Sequence, residues 1–371
     1  MDKSVALFEK FSEDKKLSYP NIKNKRRYKS TLMIAPRLAD PKKAGGMLVF
    51  VENLLHDLKD LGVEYGVVNT NSQIYKNLPH MLLVSLFSFF RQFRKYDHIF
   101  LVATKNQLII LGPVVVFFGK MFGKTVSIKK TAGRFHREYE KLDPIRKKLV
   151  EYTFKHADIV YFETKLIVDY FKHLNKETYW HPNIRRNPNY TYRPKTYQKR
   201  FAFISMIIET KGMDELLEAS NKLDDSFTID VYGKVGEAKY TNEHFEKYNV
   251  NFRGPLAPDE VLEKLKEYDV IVLPSHEEGY PGIFMEAFSF GIPVLTTTLQ
   301  PIMEIVTHQG NGILVPPKDV DSLYQGFLAF NEKNYAVMSK NAYKSFDMFD
   351  SLKQTRKIME QVNTIAEGSN L

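Results

Sequence analysis

The chain has 371 residues, 43% of them apolar and 13% aromatic, which is enough to pack cores and excludes gross disorder. It has no cysteine, which excludes disulfides, thiolate metal sites and cysteine nucleophiles and fits a reducing cytoplasm. The net charge of +9 is uneven: residues 1–200 hold 38 Lys and Arg against 18 Asp and Glu, the remainder 15 against 26. A basic half of this kind suits a nucleic acid, an anionic membrane or a phosphate-bearing acceptor, or is simply uneven solvated surface.

In chain order, Met1-Asp2-Lys3 opens a charged segment without an apolar h-region, so no signal peptide is expected. Within residues 1–27, Val5, Leu7, Phe8 and Phe11 mark a short amphipathic helix that packs on the body or lies on a membrane surface. The pattern then predicts a strand at 31–35, a helix at 47–61, and strands at 63–68, 99–102, 125–128 and 159–162, with helical segments between. Leu78 to Arg94 has a strong apolar face with basic residues toward its end, which fits a core helix or an interfacial one. The longest apolar run, Leu108 to Gly119, is too short to span a bilayer and is broken by Gly112-Pro113.

Residues 182–199 are rich in Pro, Asn and basic side chains and are expected to link two domains. The alternation restarts with strands at 201–207, 228–232 and 250–252 and helices at 214–223 and 259–267. It continues with strands at 270–273, 293–297 and 313–315. Repeated βα units predict parallel, doubly wound α/β sheets, two Rossmann-like halves with a ligand cleft at the carboxyl ends of their strands.

The stretch from Val270 to Val306 carries the most chemistry. A buried strand leads into Glu278-Gly279-Tyr280-Pro281-Gly282, and a helix beginning near Ile283 carries Glu286. A Gly-rich loop before a helix N-terminus is an anion site, because unpaired amides and the positive dipole end converge there. Carboxylates on either side suit vicinal hydroxyls, so the pattern points to a nucleotide-sugar. Asp319-Val320-Asp321 follows Pro316-Pro317 and opens a helix, where N-capping explains it better than metal binding. No Walker loop, zinc spacing or G-x-S-x-G elbow is present.

Taken together, Glu278 to Gly282, Glu286-Ala287 and Gly291-Ile292-Pro293 resemble the signature of family 4 glycosyltransferases, retaining enzymes with the GT-B fold. The resemblance implies two Rossmann-like domains, residues 1–190 on the acceptor side and 191–349 on the donor side. A last helix of about 350–371 would cross back onto the first domain. It implies that Glu278 orients the sugar hydroxyls, that Glu286 holds the ribose, and that Gly279, Gly282, Ile283 and Phe284 form the phosphate socket. Lys211-Gly212 resembles the family's Lys-Gly, with Lys211 neutralising the diphosphate, but Ser205 and Met206 stand where Gly and Arg are usual. Arg37, Arg134 or another basic residue of the first half is left to supply the second charge.

By the same resemblance Gly45 and Gly46 form the glycine loop beside the diphosphate, and Gly233 and Gly254 edge the nucleobase. Pro182-Asn183 is similar to the hinge into the second domain. On the acceptor side, Lys130, Gly133, Arg134 and His136 follow a strand at its carboxyl end; His136 contacts the donor sugar or caps a helix.

The expectation is a glycosyltransferase of bacterial surface-polysaccharide type. It would use a UDP- or GDP-linked sugar as co-substrate, with no cofactor and no metal, and act on a glycan or lipid-linked acceptor. It would be cytoplasmic and peripheral on the inner face of the plasma membrane. The alternatives are a nucleotide-sugar epimerase on the same architecture, an inactive scaffold, or a basic nucleic-acid-binding protein, although no nucleic-acid reading motif is present.

Overall fold

The computed structural model describes residues 28–39, 45–131 and 133–368; the N-terminal amphipathic helix expected near Val5 to Phe11 lies outside them. Two six-stranded sheets organise the chain. The first contains β1 (Thr31–Ala35), β2 (Tyr65–Asn69), β3 (His98–Ala103), β4 (Thr125–Lys130), β5 (Ile159–Phe162) and β6 (Thr178–Trp180), in the spatial order β2-β1-β3-β4-β5-β6. The second contains β7 (Arg200–Ile204), β8 (Thr228–Tyr232), β9 (Asn251–Gly254), β10 (Val270–Leu273), β11 (Val294–Thr297) and β12 (Gly312–Val315), in the order β12-β11-β10-β7-β8-β9. Neighbouring strands are parallel in both sheets.

Parallel strands covered on both faces must be apolar throughout, and β1, β5 and β10 are buried at every residue. Helix Gly46–Asp60 buries Leu48, Val51, Leu54, Leu55 and Leu58, the i, i+3, i+4 stripe that packs it on the first sheet. The strand expected at 201–207 stops at Ile204 because the chain turns there. Ile207 instead forms an isolated bridge with Val235, its N–H donating to Lys234 O at 3.0 Å.

The last helix, Ser351–Gly368, returns to the first sheet as expected. Ile358, Met359 and Val362 share a buried cluster with Val51, Leu54 and Tyr161. Tyr161 Oη donates to Gln361 at 2.9 Å, and Thr355 Oγ1 donates to Asp57 at 3.1 Å. Outgoing and returning crossings between the domains run side by side: Arg185 N–H donates to Phe349 O and Ser351 N–H donates to Arg185 O, both at 2.9 Å.

Candidate active site

In each sheet the chain leaves the first strand in one direction and later returns on its other side. The switch points therefore lie between β1 and β3 and between β7 and β10. Loops diverge at the carboxyl ends of such strand pairs and leave a crevice. Here the two crevices face each other across one cleft of about 1460 Å³. Leu38 and Thr104, after β1 and β3, line it from one domain; Ser205, Met206 and Glu278, after β7 and β10, line it from the other.

The loop after β10 is tied down by buried polar bonds. Thr297 Oγ1 donates to Ser275 O at 2.7 Å, and His276 N–H donates to Thr210 O at 2.9 Å, joining this loop to the one after β7. Gly212 makes that contact possible: it has φ of 74°, and a Cβ there would meet Pro274 O at 2.0 Å. The consequence is chemical, because it sets Lys211 in an ion pair with Glu278, a carboxylate that also accepts from Ser275 Oγ at 3.3 Å. Helix Gly282–Ser289 follows with Pro281 at its N-cap and no side-chain cap. Gly282 and Ile283 line the cleft, so the positive end of the helix faces it.

Glu286 sits one turn into that helix and also lines the cleft, but it is already engaged: Arg185 Nε donates to Glu286 Oε1 at 2.6 Å. Arg185 Nη1 donates to Asn183 Oδ1 at 2.9 Å and Ile184 O at 3.0 Å, and Asn183 Nδ2 donates to Tyr280 O at 3.4 Å. Arg185 is a cleft residue that sequence reasoning missed. The signal available was a pair of arginines directly after Pro182-Asn183, in a segment read only as a linker.

In the first domain, Gly133 and Arg134 line the cleft, and Arg134 forms an ion pair with Glu277 across it. Lys130 does not line it. Its ammonium turns inward over the Phe135 ring, 4.6 Å from the centroid, and donates to Thr131 O. Its neighbour Lys129 lines the cleft instead, donating to His181 O and lying 4.9 Å from the Phe50 ring. Adjacent residues on a strand point to opposite faces, which is why one lysine replaces the other. Burial pushes Lys129 down to about 7 and Lys130 to about 8.

His136, expected to contact the sugar, is also displaced. It lies in helix Phe135–Glu140 with its ring 5.9 Å from that of Tyr170, off the cleft, and burial lowers its pKa.

The glycines expected on the donor side divide. Gly46, Gly279 and Gly282 line the cleft; Gly45 does not. Gly233 and Gly254 close the ends of β8 and β9, where Gly233 N–H donates to Gly254 O at 3.0 Å, and neither reaches the cleft. Leu256, Pro258, Asp259, Val261 and Leu262, beyond β9, line the cleft instead. Phe284 has its side chain in the core, so only its backbone could face a ligand. Arg37, one of the cations considered for the missing charge, is held by Glu52 at 2.7 Å. Asp319 accepts from Ser322 N–H at 2.9 Å, the N-cap expected of it. Among the described residues no group of three or more His, Asp or Glu side chains is arranged to hold a metal ion.

An uncapped helix N-terminus, a Lys–Glu pair and a second carboxylate thus lie together in a cleft between two Rossmann-like domains, an arrangement chemically suited to an anionic ligand bearing hydroxyls. Residues 191–345 match the family model described as Glycosyl transferases group 1. The uncharacterized glycosyltransferase MJ1607 of Methanocaldococcus jannaschii is 26% identical over 170 residues, 43% of this chain and 44% of that protein. TuaC of Bacillus subtilis, provisionally named a teichuronic acid biosynthesis glycosyltransferase, is 26% identical over 176 residues, 46% of this chain and 44% of its own. The chain thus spans less than half the length of these curated relatives. The crystal structure of Anabaena Alr3699/HepE in complex with UDP superposes with a TM-score of 0.70 at 16% identity, covering 90% of this chain and 100% of that one. The fold is GT-B, with two parallel-sheet Rossmann-like domains facing a central cleft.

Proposed function

We propose that this protein is a retaining, metal-independent glycosyltransferase that moves a sugar from a nucleotide-sugar to a glycan or lipid-linked acceptor in surface-polysaccharide synthesis. The observation that carries the reading is the Lys211–Glu278 pair beside the uncapped N-terminus of helix Gly282–Ser289, opposite the Gly133 loop. The group 1 match over 191–345 and the complex of HepE with UDP support a nucleotide-sugar donor.

In this reading the second domain, about 191–349, holds the donor. Residues 1–190, with the last helix, present the acceptor. As the sugar–phosphate bond breaks, negative charge builds on the departing diphosphate, where Lys211 and the helix amides stabilise it without reorganising. Glu278 orients the sugar hydroxyls and Glu286 the ribose. No side chain is cast as nucleophile: acceptor attack on the face the diphosphate leaves, with a phosphate oxygen taking the acceptor proton, retains the configuration.

Thermal unfolding in the presence of UDP- and GDP-linked sugars tests the donor assignment, and release of free nucleotide with and without acceptor separates transfer from epimerisation. Stabilisation by none of these donors would remove the reading.

The acceptor half carries a surface suited to an anionic bilayer. Helices Leu78–Gln92 and Lys105–Met121 meet through Phe90 and Phe118, ring centroids 4.8 Å apart. Their outward faces expose Leu83 (69%), Phe87 (68%), Phe117 and Met121. Residues 70–125 hold seven Lys and Arg against one acid, Asp97. An exposed apolar face in a basic segment suits the surface of an anionic membrane. No described helix is long and apolar enough to cross one. We place the protein in the cytoplasm, peripheral on the inner leaflet, where lipid-linked acceptors are presented.

A further inference from the structure

We infer that Arg185 is a donor-binding residue: its guanidinium is held against Glu286 until a donor arrives, and then takes the diphosphate while the ribose takes Glu286. This rests on the donor reading above and adds a residue to it.

Three features meet at Arg185. Its backbone is pinned where both crossings between the domains pair, through Phe349 O and Ser351 N–H. Its side chain leaves that hinge and enters the donor half of the cleft, where the residue is only 8% exposed. There the guanidinium lies on the opening turn of helix Gly282–Ser289, so closely that a Cβ on Gly282 would fall 1.7 Å from Arg185 Nη2.

A guanidinium at the positive end of a helix is unfavourable unless an anion joins it. In this state Glu286 supplies the anion from the same helix, 2.6 Å from Arg185 Nε. A nucleoside diphosphate brings both replacement partners at once. Its phosphate oxygens match the planar fork of arginine, and its vicinal ribose hydroxyls match a carboxylate. After the exchange the guanidinium has an anion and the carboxylate has hydroxyl donors, whereas breaking the pair alone would leave each without its counter-charge. Lys211, paired with Glu278, lies beside the same helix turn, while Arg134 pairs with Glu277 and Arg186 with Asp60 at 3.0 Å. Met206, at the end of β7, brings no charge to the same wall.

Calorimetric titration of the full chain with UDP and with uridine separates the two halves of the exchange. In Arg185→Gln, UDP affinity is expected to fall by about tenfold or more, while uridine affinity is unchanged or rises, since Glu286 is released. Arg185→Lys keeps a cation beside Glu286 and guards against a variant that fails to fold. Its UDP affinity is expected to fall by less, with uridine again unaffected. Wild-type protein that binds UDP, with variants that bind it equally well or lose UDP and uridine by the same factor, would overturn this role alone. Wild-type protein that binds neither would overturn the donor reading and this inference with it.

Discussion

Gly133 and Gly279 meet across the cleft: a Cβ on Gly133 would lie 2.7 Å from Gly279 Cα. The loops after β4 and β10 therefore touch backbone to backbone, and the two domains close on each other without an intervening side chain. Gly133→Ala is expected to hold the cleft open while each domain keeps its core. Small-angle scattering should show a larger radius of gyration, and donor turnover should fall by about tenfold or more. Unchanged scattering and turnover would show that the contact does not limit closure.

Lys211 and Glu278 form one ion pair, so their loss is expected to be non-additive. Lys211→Met should lower kcat by about 100- to 1000-fold, the scale for removing one stabiliser of transition-state charge. Glu278→Gln should lower it as well, and the double variant should be less impaired than the product of the two. Nucleotide release measured across this cycle is the test; strictly multiplicative losses would separate the two residues.

Lys129 ties stability to pH. Burial, opposed in part by Glu163, pushes its ammonium down to about 7, against about 10.4 in an unfolded chain. Between these values the unfolded state keeps a proton that the folded state has released, so stability rises as pH increases from about 7 toward 10. Lys129→Met should remove that rise. Denaturant unfolding at pH 7 and pH 9 should show the wild type gaining about 2 kcal/mol relative to the variant. Parallel behaviour would mean that Lys129 keeps its charge in the fold.

Phe87 and Leu83 are the most exposed large apolar side chains on helix Leu78–Gln92. Phe87→Asp with Leu83→Asp is expected to reduce co-sedimentation with anionic vesicles by about tenfold or more, since each residue buries roughly 1.5–3 kcal/mol of apolar surface on docking. The fold should survive, because Met81, Phe89 and Phe93 face the core instead. Raising the salt should weaken wild-type binding. Equal partitioning of variant and wild type would remove this face from the membrane.

Much of the architecture was legible because the strands are short and wholly buried. The runs at 31–35, 159–162, 228–232 and 270–273 coincide with β1, β5, β8 and β10. Glu278, Gly282, Ile283 and Glu286 were also legible as cleft residues, since a strand, a Gly-rich loop and a helix start lie within one contiguous stretch. Lys130 and His136 were misplaced for the opposite reason. A run of polar residues after a strand says which end of the sheet it occupies, while the direction of each side chain depends on register and on what packs beside it.

By itself the sequence determined two doubly wound domains, the Gly-rich loop that lines the cleft and the imbalance of charge between the halves, all properties of local pattern and composition. Tertiary structure decided which charges meet. Arg185 and Glu286 are 101 residues apart, Arg134 and Glu277 are 143, and Lys211 and Glu278 are 67. An ion pair needs only a few ångströms of space and carries no trace in sequence spacing. It is the docking of the interdomain crossing against helix Gly282–Ser289 that turns an inconspicuous linker arginine into the partner of a carboxylate in the cleft.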